Sequence, residues 1–137
     1  MRRTRPPTPW LLTAKAWLIF VWLDILFRFK GFQYTYDSVV RRSAGSTGGE
    51  VTDDEAVDRA VAAVQAATKL YWRSRRDCLP RSLTLYRLLR DLDVPARVCI
   101  GVKKYPFFLA HAWVELEGRP LDENPGTISE LSLLSRA

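Results

Sequence analysis

The chain has 137 residues, 47% hydrophobic and 26% charged, a balance that suits one compact domain with a buried core and excludes a disordered chain. Its two cysteines, Cys78 and Cys99, do not make a disulfide framework, and no secretory cleavage site is evident, so a reducing cytoplasm is the expected setting. The net charge of +6 is not spread evenly: residues 1–42 hold eight Lys/Arg against Asp24 and Asp37, while residues 43–137 carry thirteen of each sign. A basic N-terminal segment can steer an acidic partner or an anionic surface, or can form a solvated face.

In chain order, residues 10–29 come first. Ala14, Trp17, Leu18, Val21, Ile25 and Phe29 recur at helical spacing, so a broadly apolar helix is expected. Lys15, Asp24 and Arg28 interrupt it, and the longest uncharged run, Ala16–Leu23, is too short to span a bilayer. A buried or partner-facing helix is the expectation, with peripheral membrane contact left open. Residues 43–51 follow as a flexible Gly/Ser loop between this basic, apolar N-terminal segment and the rest of a single domain over residues 1–137. Thr52 and Glu55 then fit a capping box, and Val57, Ala60, Val61, Val64, Ala67 and Tyr71 predict a helix over about 53–72.

Asp77 is a suitable cap for a further helix that runs to about residue 91, with Pro80 tolerated because it falls in the first turn. After the turn signal at Asp91–Pro95 the period changes from helical to alternating. Val98, Ile100 and Val102 predict one strand and Ala110–Leu116 a second. The short link Glu117–Gly118–Arg119 predicts a hairpin to a third strand around Pro120–Asp122. Beyond Asn124 the pattern fades, with at most a helical turn near Ile128–Leu134.

This order has a chemical logic. A thiol becomes a good nucleophile when its pKa falls, and the partial positive charge of a helix N-terminus lowers it. Cys78, just after its cap, is placed for that. A base must then lie within reach to form a thiolate–imidazolium pair and protonate a leaving amine. His111 is the only histidine in the chain, so no other residue can fill that role. A carboxylate should fix the imidazole, and the strand pair 110–116 and 120–122 can bring Asp122 or Glu123 to it; adjacent strand positions face opposite ways, so only one can serve. Each residue alone has a plainer reading: a core cysteine, a packed histidine, a solvated turn. Cys99, within a strand, is expected to be core. One histidine and two separated cysteines do not make a zinc site, and no phosphate-binding glycine loop or nucleic-acid module is present.

The blocks Cys78-Leu-Pro-Arg-Ser-Leu83, Val94-Pro-Ala-Arg-Val98 leading into Gly101-Val102, His111-Ala-Trp-Val-Glu115 and Gly118-Arg-Pro-Leu121 resemble the leader peptidases of lasso-peptide biosynthesis. These are the protease half of the split B protein, within the bacterial transglutaminase-like superfamily. The resemblance is dense over residues 78–122, with Cys78 and His111 33 residues apart, and looser over the N-terminal helices. It implies an α+β fold with a papain/transglutaminase-like core, in which N-terminal helices and a catalytic Cys at a helix N-terminus pack on a small antiparallel sheet. It also implies a Cys78–His111–Asp122 triad, with Asp122 favoured over Glu123 because it follows the Gly-Arg-Pro-Leu block. The oxyanion would be held by the Cys78 backbone N–H, with Trp72 as the candidate second donor, and no cofactor or metal is expected.

The implied activity is removal of the leader from a precursor peptide, typically after a leader with threonine at its penultimate position. The implied partners are a separate winged-helix leader-recognition protein and an ATP-dependent macrolactam cyclase; no nucleic acid is expected. Two alternatives stand beside it. One is a transglutaminase-like acyltransferase that shares the acyl-enzyme but uses an amine in place of water. The other is a non-catalytic docking subunit of the biosynthetic complex.

Overall fold

The computed structural model describes residues 9–43, 54–70, 78–92, 94–103, 109–121 and 131–136. The fold is α+β: among the described residues, four helices are followed by a four-stranded antiparallel sheet. Helix α1 (Pro9–Phe29) is apolar around most of its circumference. It ends where Lys30 donates its N–H to the Leu26 carbonyl (2.8 Å) and Gly31 turns the chain with φ of +79°. That left-handed residue is a low-strain helix stop only for glycine. The chain resumes at once as α2 (Gly31–Ser43), so the basic N-terminal segment is two helices broken at Gly31. By length and composition α1 could cross a membrane, a property that counting uncharged runs had understated.

Helix α3 (Asp54–Leu70) matches the predicted second amphipathic segment, and α4 (Cys78–Asp91) begins at the predicted residue. The Gly/Ser loop and the capping residue Thr52 lie outside the described residues, as does Asp77. Pro80 is the third residue of α4, where its missing N–H has no intrahelical acceptor to lose. The helix closes with Val94 N–H donating to the Leu89 carbonyl (2.9 Å), just before Pro95.

The sheet runs in the order β3-β2-β1-β4, with β1 at Arg97–Lys103, β2 at Leu109–Leu116, β3 at Arg119–Leu121 and β4 at Ser132–Arg136. The hairpin between β2 and β3 is a two-residue turn, Glu117–Gly118, with both residues at positive φ (52° and 78°). Two successive positive φ values give the tight turn whose twist matches the flanking strands. The final strand corrects the sequence expectation, since Ser132–Arg136 pairs antiparallel with β1 instead of forming a helical turn. Five residues offer too little periodicity to separate the two, and the strand's partner lies some 35 residues upstream.

The core lies between the helices and one face of the sheet. Phe20, Leu23, Leu83, Leu88, Leu89, Val39, Val98 and Val114 are its largest fully buried apolar side chains. Each such residue contributes about 1.5–3 kcal/mol relative to exposure. α1 packs against α3, α4 and α2, and α4 in turn lies on β2 and β1. Through this stack the N-terminal helices fix α4, and α4 fixes its own first turn against the sheet.

Candidate active site

Of the three residues expected to be catalytic, Cys78 and His111 lie in the expected elements, and Asp122 lies outside the described residues. Cys78 is the first residue of α4, so its backbone occupies the helix end where amide N–H groups lack intrahelical partners and the helix dipole is positive. Its side chain lies outside the described residues, as do Trp72, Asp122 and Glu123. His111 is the third residue of β2. Thus the structure locates the cysteine backbone and the histidine, and it does not describe the acid or the second oxyanion donor.

What ties the two elements together is Ser82. Its hydroxyl donates to the Ala112 carbonyl at 2.9 Å, a buried bond between residues 30 apart in sequence. Ser82 is one helical turn from Cys78, and Ala112 is the neighbour of His111. The first turn of α4 is therefore clamped beside β2 at the level of the histidine, since one turn advances the helix only about 5.4 Å. Thr84 reinforces that turn by donating its hydroxyl to the Pro80 carbonyl (2.7 Å).

The strand register sets the surroundings of the imidazole. Val98↔Val114 and Ile100↔Ala112 are cross-strand pairs on the helix-facing side, where Val98 and Val114 belong to the core. By alternation, Gly101↔His111 and Cys99↔Trp113 fall on the other face. There the His111 and Trp113 rings lie nearly parallel, 17° apart with centroids at 6.2 Å. Trp113 is held in turn by its indole N–H, which donates to Glu115 Oε1 at 3.0 Å, both residues being buried. The His111 ring is half-buried, and its Nε2 is shielded from solvent.

Gly101 makes that stack possible. A Cβ at this position would lie 2.9 Å from both Cη2 and Cζ3 of Trp113, and 3.1 Å from the Leu131 Cβ. The indole thus lies directly over the glycine that pairs with His111. Cys99 is a fully buried thiol on this face and is in no disulfide, as expected for a core residue. Ser82, Gly101 and Trp113 lie within the sequence motifs, but their roles emerge only from the structure. The spacing of Ser82 from Cys78 was a usable signal; the Gly101–Trp113 contact needed the register.

The amide-rich start of α4 at Cys78 suits a thiolate and an oxyanion, and Ser82 holds it beside the strand of His111, whose imidazole projects from the sheet face opposite the one that packs on α4. Residues 19–136 match the family described as Transglutaminase-like superfamily. Over 61 residues the chain is 34% identical to the Microcin J25-processing protein McjB of Escherichia coli, a stretch covering 44% of this chain and 29% of that protein. The chain therefore matches less than a third of its relative's length. No solved structure matches.

Proposed function

We propose that this chain, which belongs to the transglutaminase-like superfamily, is a cysteine peptidase that removes the leader from a lasso-peptide precursor. The observation that carries this reading is the Ser82–Ala112 bond, which holds the helix turn beginning at Cys78 against the strand of His111. The likeness to a microcin-processing protein supports the substrate class, a ribosomal peptide precursor.

In this reading the Cys78 thiolate attacks the carbonyl carbon at the leader–core junction. The backbone N–H groups at the start of α4 receive the developing oxyanion. His111 passes its proton to the departing core amine, and the leader remains as a thioester on Cys78. His111 then takes a proton from water, which attacks the thioester and releases the leader acid with regeneration of the thiol. Asp122 orients the imidazole. Asp122 is favoured over Glu123 because it follows the Gly118-Arg-Pro-Leu121 block.

The leader would be presented by a separate recognition protein and the product consumed by an ATP-dependent cyclase, in a reducing cytoplasm. The test is incubation of a synthetic precursor with the protein and a leader-recognition protein, read by mass. Cleavage at the leader–core junction by wild type and none by Cys78→Ala is expected. Cleavage by Cys78→Ala would overturn the nucleophile assignment, and absence of cleavage by wild type would favour a docking subunit.

A further inference from the structure

We propose that the outer face of α1 adsorbs to an anionic membrane surface. A helix that is apolar on both faces is ordinarily enclosed by protein or lipid. Here one face is enclosed: Leu12, Ala16, Ile19, Phe20 and Leu23 are buried against the body of the domain. The other is not. Trp10 (69% exposed), Leu18 (62%), Ile25 (49%) and Phe29 (79%) lie along it, with Leu11 completing a seven-residue spacing through Leu18 and Ile25. Phe32 and Tyr34 extend the exposed aromatic surface into α2.

The second observation is charge. The molecule's entire net +6 arises within residues 1–42, the segment that carries this uncovered face. Lys15, Arg28 and Lys30 stand exposed among the apolar side chains; Lys15 also meets Asp91 at 2.9 Å and Arg28 meets Asp24 at 3.7 Å, so Lys30 is the cation of this group whose charge is not offset by either carboxylate. Their long stems can lie along apolar surface while the charged heads stay at headgroup level. Exposed Trp and Phe with Lys and Arg on one helix is the composition that partitions into the headgroup boundary, by apolar burial plus attraction to anionic lipid.

Although α1 is long and apolar enough to cross a membrane, spanning would strip its buried face from α3 and α4. Adsorption leaves the core intact and keeps the first turn of α4 seated. A membrane-associated peptidase would then meet its precursor at a surface. The inference does not depend on the peptidase reading.

Vesicle co-sedimentation of the full chain tests it. Vesicles with equal phosphatidylglycerol and phosphatidylcholine should retain the protein at least tenfold more strongly than phosphatidylcholine alone, with binding falling as salt rises. Lys30→Glu should weaken retention several-fold, since each basic group near an anionic surface contributes roughly fivefold. Leu18→Glu with Ile25→Glu should reduce it tenfold or more with an unchanged circular dichroism spectrum. Should that variant misfold, quenching of wild-type tryptophan fluorescence by brominated lipid gives the same answer directly. Lack of retention, retention untouched by the double substitution in a folded protein, or absence of quenching would overturn the proposal. A wild-type dimer that the double substitution dissolves, with no vesicle binding, would instead assign the face to a second copy.

Discussion

Replacing Gly101 by alanine tests how the histidine is held. The added methyl would stand 2.9 Å from two atoms of the Trp113 ring and 3.1 Å from the Leu131 Cβ, closer than carbon atoms pack. Relief requires the indole to move by several tenths of an ångström, and overpacking of this kind costs about 1–3 kcal/mol. The two offended atoms, Cη2 and Cζ3, belong to the outer ring of the indole and are absent from phenylalanine. In a Trp113→Phe background the same Gly101→Ala substitution should therefore be cheaper, giving a coupling energy on the order of 1 kcal/mol or more. Urea unfolding of the four proteins, with constant slopes, measures it. Because the His111 ring lies nearly parallel to Trp113, Gly101→Ala should also lower precursor cleavage, by up to about 100-fold if the imidazole shifts by an ångström. Stability losses that simply add, within about 0.3 kcal/mol, would refute the proposed contact.

Three further outcomes are expected. Ser82→Ala removes the buried bond to the Ala112 carbonyl and should lower stability by about 1 kcal/mol, with kcat falling more than KM changes; an unaltered kcat would mean that the clamp does not serve the site. Asp122→Asn should depress cleavage far more than Glu123→Gln, and the reverse order would move the orienting role to Glu123. Burial raises the Tyr86 phenol above its ordinary 10.0, against an opposing pull from Arg90 and with a smaller rise from Tyr36. The unfolded phenol then ionises first, so this stabilisation is full below pH 10 and fades as pH climbs through the folded value. Denaturation followed from pH 9 upward should show that loss in wild type and less of it in Tyr86→Phe; equal alkaline sensitivity would count against the assignment.

Much of the fold was legible because its elements are strongly periodic. The helix from Cys78, the alternation in β1 and β2, and the hairpin at Glu117–Gly118 all follow from local pattern and turn chemistry. The end of α1 near residue 29 was anticipated, but α2 over Gly31–Ser43 was given no element, because it is short, opens on a glycine and carries few apolar residues. β4 was missed because its identity comes from pairing with β1, a non-local fact.

The site divides the same way. The secondary-structure positions of Cys78 and His111 were legible from local pattern, and their catalytic assignment rests on residue type and resemblance. Their relation through Ser82 and Ala112, and the support of the imidazole by Trp113 over Gly101, depend on contacts between strands and across 30 residues of chain. No single-segment pattern encodes those.

The central claim is that Cys78 is an activated nucleophile paired with His111. Alkylation by iodoacetamide, followed against pH and mapped by peptide mass, tests it without needing the natural substrate. Cys78 should react rapidly at pH 6, where an ordinary thiol with a pKa near 8.5 is almost wholly protonated. Its rate at that pH should drop in His111→Ala, while buried Cys99 stays unmodified in the folded protein. A Cys78 that reacts only as pH approaches 8.5, at a rate indifferent to His111, would contradict the account.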